Sequence, residues 1–168
     1  MKILGIDPGS RTLGWGIVEG SGLKYHGVAY GTIKTDPQLD FADRLLKIHE
    51  DLAEVVERFK PNILSVEEAF YARNVKVALK LGQVRGVVLL VGKQSGIEIA
   101  EYSPRLIKRT VVGYGAAEKH QVQEMVRILL KLKKLPEPHD AADALAIAIC
   151  HFHHCGKIKK INELSKTI

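Results

Sequence analysis

The chain has 168 residues, of which 46% are hydrophobic and 26% charged, as is typical of one compact globular domain. Its formal net charge of +6 favours a polyanionic partner, although a solvated lysine-rich surface would give the same charge. Two cysteines cannot form a disulfide framework, and the sequence shows neither a secretory hydrophobic segment nor a membrane span. We therefore expect a cytoplasmic protein that does not enter a membrane.

The hydrophobic pattern predicts five strands. They cover residues 3–6, 13–19, 23–33, 63–66 and 97–100. Short turns join the first three strands, which predicts a β-meander. We expect an α/β fold with a mixed five-stranded sheet, in which three antiparallel strands are followed by two parallel ones and helices cover both faces.

The same pattern predicts five helices, over residues 41–59, 75–93, 105–112, 117–132 and 139 to about 152. Gly82 and Gly86 lie four residues apart on one face of the second helix. A glycine inside a helix costs about 1 kcal/mol relative to alanine, so this pair predicts close backbone approach to another element. We expect one domain over residues 1–156 and a flexible basic tail over residues 157–168.

Asp7 ends the first predicted strand, immediately before a Pro8-Gly9 turn. An unpaired carboxylate beside a core strand costs several kcal/mol in desolvation, so Asp7 needs a partner. Capping of the turn by the Asp7 side chain would provide one. A metal or phosphate site would explain the residue equally well, and the local sequence does not decide between the two.

Three further carboxylates bear on that choice. Asp140 and Asp143 share one face of the last helix, and Glu67 follows the fourth strand. Helix capping explains Asp140 well, but Asp143 lies too deep in the helix for that role. Four carboxylates meeting in one pocket would repel each other unless cations lay between them. Oxygen ligands select Mg²⁺ or Mn²⁺, and two such ions suit phosphoryl displacement by water.

Five motifs, taken together, resemble the RuvC family of bacterial Holliday-junction resolvases over about residues 1–155. They are Ile6-Asp7-Pro8-Gly9-Ser10, Val66-Glu67-Glu68-Ala69-Phe70, the run from Ala78 to Gly86, Ala117-Glu118-Lys119, and the run from Asp140 to Ala146. The resemblance implies that residues 1–156 form an RNase H-like nuclease domain. It implies a homodimer that resolves four-way DNA junctions by two symmetric nicks, leaving 5′-phosphate and 3′-hydroxyl ends. It also implies two Mg²⁺ ions per active site, for which Mn²⁺ would substitute, and cooperation with the RuvA–RuvB branch-migration complex.

The resemblance also assigns roles to individual residues. It makes Asp7, Glu67, Asp140 and Asp143 the metal-binding catalytic carboxylates. His139 directly precedes Asp140, and some relatives use a histidine in this neighbourhood, so His139 is an alternative ligand there.

The resemblance places Lys108 and Lys119 beside the scissile phosphate, and Lys119 is included among the catalytic residues. Arg109 is a further candidate for DNA binding. We also expect Gly82 and Gly86 to form a dimer contact.

Two aromatic residues, Phe70 and Tyr71, directly follow the fourth predicted strand. Burial in the core is the commoner fate of phenylalanine. Stacking on unpaired bases beside a nuclease centre is the role that we expect here for Phe70, and Tyr71 is a further candidate for DNA binding. Glu68 is predicted to face solvent, because alternation along the strand turns it away from Glu67.

A group of histidines and cysteines near the end of the last helix suggests a zinc site at first sight. The group consists of Cys150, His151, His153, His154 and Cys155. Its spacing fits no common structural zinc site. We therefore interpret Cys150 as a buried helix residue.

Three alternatives belong to other functional classes. An actin-like or sugar-kinase-like ATP-binding module also begins with an Asp-x-Gly-Ser pattern, which residues 7–10 satisfy, but such modules are longer and contain a second, similar half. An RNase H-like nuclease acting on ribosomal RNA precursors is a second alternative. A non-catalytic junction-binding protein is the third, and the four intact carboxylates argue against it.

Overall fold

The computed structural model describes residues 1–68 and 74–164, with side chains described through residue 155. The strands are β1 (Lys2–Asp7), β2 (Thr12–Ser21), β3 (Lys24–Lys34), β4 (Ile63–Glu67) and β5 (Glu98–Tyr102). They form one sheet in the order β3-β2-β1-β4-β5. The pairs β1–β2 and β2–β3 are antiparallel, and the pairs β1–β4 and β4–β5 are parallel. The predicted mixed sheet is confirmed.

The helices are α1 (Phe41–Phe59), α2 (Val75–Gln94), α3 (Pro104–Val112), α4 (Lys119–Leu129) and α5 (His139–Leu164). Two buried clusters show which face each helix covers. Apolar residues of α1 and α2 pack under one face of the sheet. Residues of α3, α4 and α5 pack on the other face. Helices therefore cover both faces of the sheet, which confirms the prediction.

Two helix ends differ from the prediction. α4 stops at Leu129 rather than residue 132, because Lys131 adopts a left-handed φ of 54° that ends the helix. α5 continues to Leu164, well beyond the predicted end at about Phe152. The predicted boundary between domain and tail at residue 156 therefore lies inside a helix. The flexibility of the tail stays a prediction.

No described residue outside α2 packs closely against its glycine pair. A Cβ atom built at Gly82 or Gly86 meets no atom within 4 Å among the described residues. The described residues of the single chain therefore do not make the predicted close approach. The same helix also exposes the apolar side chains of Leu79 and Leu90, so this side of α2 is an open, partly apolar surface. The predicted dimer contact is not tested by a single chain.

Among the described residues, none of the helices combines the length and the hydrophobicity needed to cross a bilayer.

Candidate active site

Two carboxylates stand at the carboxyl ends of neighbouring parallel strands. Asp7 is the last residue of β1 and Glu67 the last of β4, and these strands pair up to Ile6 and Val66. Ile6 and Val66 are buried in the cluster formed with α1 and α2. Successive side chains of a strand point to opposite faces. Asp7 and Glu67 therefore point to the other face, which α5 covers.

Two glycines allow α5 to lie close to this face. A Cβ atom at Gly5 would be 2.0 Å from the carbonyl oxygen of Ala144, and one at Gly14 would be 1.9 Å from that of Asp140. A larger residue at either position would push α5 away from the sheet. The close approach sets the first turns of α5, which carry Asp140 and Asp143, beside the end of β1. Neither glycine was predicted to have this role, although glycine inside a buried strand is a recognised sign of close backbone approach.

Asp7, Glu67 and Asp143 line one cleft of about 330 Å³. The structure thus brings together carboxylates from β1, β4 and α5, as the sequence predicted. The other residues that line the cleft are the basic Lys108 and Lys119 and the apolar Pro104, Ile107, Val122, Ala146 and Ile147. The cleft therefore combines an acidic centre, two lysines and an apolar wall.

The carboxylates of the cleft resist ionisation. Burial, followed by the charges of Asp143, Glu67 and Asp140, raises the pKa of Asp7 from its ordinary value of 3.8 to about 7. Burial and the charge of Asp143 raise the pKa of Glu67. Burial also raises the pKa of Asp143. Negative charge in the cleft is therefore incompletely compensated by the protein, and the cleft favours the binding of protons or cations.

The two lysines oppose this negative charge from different helices. Lys119 is the first residue of α4, and its Nζ lies 3.6 Å from Oδ2 of Asp143. Because the Lys119 side chain is 66% exposed, this ion pair contributes little to stability and can exchange for another anion. Lys108 reaches the cleft from α3, and its charge lowers the pKa of Glu67.

Asp140 and His139 are not among the residues that line the cleft. Asp140 is half-buried, and its charge raises the pKa of both Asp7 and Asp143. His139 is exposed and lines a separate surface depression, although a positive charge on it lowers the pKa of Asp143. Both residues are therefore within electrostatic reach of the acidic centre.

The remaining predicted residues have different outcomes. Arg109 is exposed on α3 and does not line the cleft. Phe70 and Tyr71 lie outside the described residues. Glu68 is exposed, which confirms the prediction that it faces solvent.

The histidine and cysteine group near the middle of α5 makes several contacts within the chain, although Nε2 of His151 is buried without a hydrogen-bond partner among the described residues. Cys150 is buried, as predicted, and its Sγ lies 3.6 Å from Oγ1 of Thr110. Nδ1 of His151 lies 3.0 Å from the hydroxyl of Tyr102. In the part of the chain that the structure describes, no three histidine, cysteine or carboxylate side chains form a closed group that could hold a metal ion as they stand. The carboxylates of the acidic cleft likewise form no such closed group.

The sheet order, with antiparallel strands β1 to β3 and parallel strands β4 and β5, is that of the RNase H-like fold. Carboxylates at the ends of β1 and β4, facing a helix that carries two more, place the chain among nuclease-like members of that fold class.

Comparisons with known proteins specify the class further. The sequence profile of the family described as "Crossover junction endodeoxyribonuclease RuvC" matches residues 3–151. The protein of that name from Syntrophomonas wolfei is 49% identical over 153 residues, covering 91% of this chain and 89% of the relative. The one from Caldanaerobacter subterraneus is 45% identical over 161 residues, covering 96% and 98%.

Solved structures agree with the sequence comparisons. Thermus thermophilus RuvC in complex with a Holliday junction substrate superposes with a TM-score of 0.87 at 39% identity, covering 92% of this chain and 94% of that one. The yeast mitochondrial Holliday junction resolvase, at 14% identity and a TM-score of 0.69, shares the fold. The chain belongs to the RuvC family of crossover junction endodeoxyribonucleases. The predicted family, fold and enzyme class are confirmed, and the ATP-binding alternative is wrong.

Proposed function

We propose that this chain is a metal-dependent endonuclease that resolves four-way DNA junctions by two symmetric nicks, leaving 5′-phosphate and 3′-hydroxyl ends. The observation that carries the proposal is the cleft in which Asp7, Glu67 and Asp143 meet Lys108 and Lys119. Junction DNA as substrate is supported by the Thermus thermophilus relative, which is described in complex with a Holliday junction.

The donor set of the cleft fits a hard divalent cation. Its ligand atoms are carboxylate oxygens, which Mg²⁺ and Mn²⁺ prefer, and the raised pKa of Asp7 reflects negative charge that a cation would neutralise. Asp7, Glu67, Asp140 and Asp143 would hold the metal, with two ions per site. A bound divalent ion supplies Lewis-acid stabilisation of phosphate charge and lowers the pKa of bound water.

Charge and position favour Asp140 over His139 as the fourth ligand. The charge of Asp140 reaches both Asp7 and Asp143. His139 lines a different depression and is exposed. We therefore assign the metal-binding role to Asp140.

The two lysines bind and orient the scissile phosphate. Lys119 is held near the centre by Asp143, 3.6 Å away, but remains exposed enough to turn towards an incoming phosphate. Lys108 lies beside Glu67, which places a second positive charge in the cleft. The apolar wall formed by Ile107 and other residues excludes water around the reacting group, and ionic contacts are stronger where water is excluded.

A homodimer would provide the two active sites that two symmetric cuts require. The open face of α2, with Gly82, Gly86, Leu79 and Leu90, supports this part of the proposal, because exposed apolar surface often marks an interface. Cooperation with RuvA–RuvB in the bacterial cytoplasm completes the proposal and rests on family membership alone.

The dimer can be tested by sedimentation at micromolar concentration. A leucine at Gly82 or Gly86 is expected to weaken self-association, because it fills space that the partner would occupy. Lys93→Leu adds the same side chain to an exposed position near the end of α2 and serves as the control. A monomeric wild type would overturn the homodimer.

The activity can be tested with a labelled mobile four-way junction, a matched duplex and an RNA hairpin, each with and without Mg²⁺. We expect paired nicks at symmetric positions in the junction, in Mg²⁺ only, with the duplex and the RNA intact. Preferential cleavage of the hairpin would favour the alternative of an RNA-processing nuclease. Junction binding without any cleavage would contradict the proposed endonuclease activity.

A further inference from the structure

Arg85 contacts the end of the strand that carries Glu67. Its Nε donates a hydrogen bond of 3.2 Å to the backbone carbonyl oxygen of Glu67. Its Nη2 pairs with the carboxylate of Glu101 on β5. The Arg85 side chain is only 18% exposed. One guanidinium on α2 therefore links the ends of β4 and β5.

The Glu67 carbonyl lacks the strand partner that it would have deeper in the sheet. The amide of Glu68 donates to the carbonyl oxygen of Tyr102 on β5, at 2.9 Å. In a planar trans peptide the C=O and the N–H point in opposite directions, so the Glu67 carbonyl points away from β5, towards β1. At that point β1 has given way to Pro8, which has no amide hydrogen to donate. Arg85 supplies the donor that β1 cannot.

Glu101 holds the guanidinium in place. Ile97 and Ile99 belong to the core cluster formed with α1 and α2. Alternation along β5 therefore turns Glu101 to the same face as α2. An arginine fixed by a carboxylate on one side directs its remaining N–H groups with little freedom. The hydrogen bond to the Glu67 carbonyl is thus made by a prepositioned donor.

We propose that Arg85 is a positioning residue that fixes the peptide at the end of β4 and thereby the direction in which the Glu67 side chain enters the cleft. This inference rests on the proposed function of Glu67 as a metal-binding carboxylate. Loss of the Arg85 hydrogen bond leaves the last peptide of β4 held only by the bond from the Glu68 amide to Tyr102. The weaker restraint lets the Glu67 carboxylate shift while its charge stays unchanged.

Three variants test the inference. Arg85→Gln removes the guanidinium, Arg85→Lys keeps the charge without the fork of donors, and Glu101→Gln keeps an acceptor oxygen for Arg85. Losses of supporting contacts around metal ligands typically cost about 10- to 100-fold in metal affinity or activity. We expect Arg85→Gln to lower kcat for the junction by about that factor with KM little changed, Arg85→Lys to lie between, and Glu101→Gln to have the smallest effect.

Mn²⁺ affinity, measured on the folded protein by electron paramagnetic resonance without DNA, supplies a readout that does not depend on turnover. We expect it to fall in the same order as kcat. Arg58→Gln, which removes an exposed arginine from α1, is the matched control and should leave both quantities unchanged.

Failure of this inference differs from failure of the proposed function. If Arg85→Gln and Arg85→Lys bind Mn²⁺ and cut as wild type does while Glu67→Gln is inactive, the positioning role is overturned and the catalytic assignment stands. If kcat falls only with the folded fraction and Mn²⁺ affinity is unchanged, Arg85 is merely structural and the inference is overturned. Normal cleavage by Glu67→Gln would overturn both.

Discussion

Polar side chains interrupt the apolar helix α5 in two places, at its N-terminal end and over residues 150–155 near its middle, and the two stretches differ in their surroundings. At the N-terminal end, Asp143 shares a cleft with Asp7 and Glu67, and burial, together with the charges of neighbouring carboxylates, raises all three pKa values. Near the middle of the helix, Nε2 of His153 lies 2.8 Å from the hydroxyl of Tyr25. Polar groups that remain uncompensated in a cleft indicate a site that awaits a ligand.

Most polar groups of residues 150–155 make contacts within the chain, although the buried Nε2 of His151 has no hydrogen-bond partner among the described residues. His151 and Cys150 each contact a hydroxyl, of Tyr102 and Thr110 respectively. Burial lowers the pKa of His151, which favours its neutral form. A neutral histidine adds no charge that a ligand would have to balance. The two stretches therefore differ in uncompensated charge, which lies with the carboxylates of the cleft.

The largest expected effect comes from removing charge at the N-terminal end. Asp143→Asn keeps the shape of the side chain but removes one negative charge from the cleft. We expect junction cleavage to fall by about 100-fold or more, the scale seen when one preorganised electrostatic group is removed. Folding should survive, because like-charge repulsion is relieved. Single-turnover cleavage with saturating enzyme measures the rate. A rate near that of wild type would show that Asp143 is no more important for catalysis than the polar residues 150–155.

The pH dependence of stability sharpens the same contrast. Asp7 has a pKa of about 7 in the fold against an ordinary value of 3.8. Between these values the folded state binds more protons than the unfolded state, so the free energy of unfolding falls as the pH rises. In chelator-containing buffer, Asp7→Asn should therefore be more stable than wild type at pH 8, by on the order of 4 kcal/mol, and the gap should shrink at pH 5.

Urea denaturation at both pH values measures this gap. Glu54→Gln, which neutralises an exposed carboxylate on α1, should leave the pH dependence of wild type unchanged. A gap that stays constant, or widens, towards pH 5 would mean that the pKa of Asp7 is not raised in the metal-free protein.

A smaller effect is expected from the lysines. If Lys119 contacts a phosphate, Lys119→Ala should lower the slope of log K against log salt concentration by about 1. Lys108→Ala should do the same. Lys93→Ala, on the exposed end of α2, is the control. Fluorescence anisotropy of junction binding in a chelator, over a salt series, measures the slopes, and an unchanged slope would return that lysine to the solvated surface.

The smallest effect on cleavage and stability is expected in the middle of α5, at residues 150–155. His153→Phe removes the hydrogen bond to Tyr25, and a typical bond of this kind contributes about 1 kcal/mol. The free energy of unfolding should fall by that amount while the cleavage rate per folded molecule stays that of wild type. Loss of cleavage in a folded His153→Phe protein would show that this stretch also serves the reaction.

Much of the fold could be predicted because its signals are local. The stripe of apolar residues along α1 and the alternation in β1 and β2 depend only on neighbours in sequence. The end of α4 was missed because Lys131 reverses the chain although the apolar pattern continues to Leu132. The length of α5 was missed because apolar periodicity fades after Phe152 while the backbone remains helical.

The site divides in the same way. Asp7, Glu67 and Asp143 could be predicted because each is a charge where a buried strand or helix should be apolar. The contacts of Gly14 with α5 and of Arg85 with the Glu67 carbonyl are tertiary, and nothing in the local sequence names their partners.

The most direct test of the central claim separates cleavage from binding in the carboxylate variants. Asp7→Asn, Glu67→Gln and Asp140→Asn should each bind the four-way junction at least as tightly as wild type in a chelator, because less negative charge opposes the DNA backbone. None should cut in Mg²⁺. The matched control is Glu68→Gln, since Glu68 is the exposed neighbour of Glu67, and it should bind and cut like wild type. Near wild-type cleavage by Asp7→Asn or Glu67→Gln would contradict the account, and cleavage by Asp140→Asn alone would transfer its role to His139.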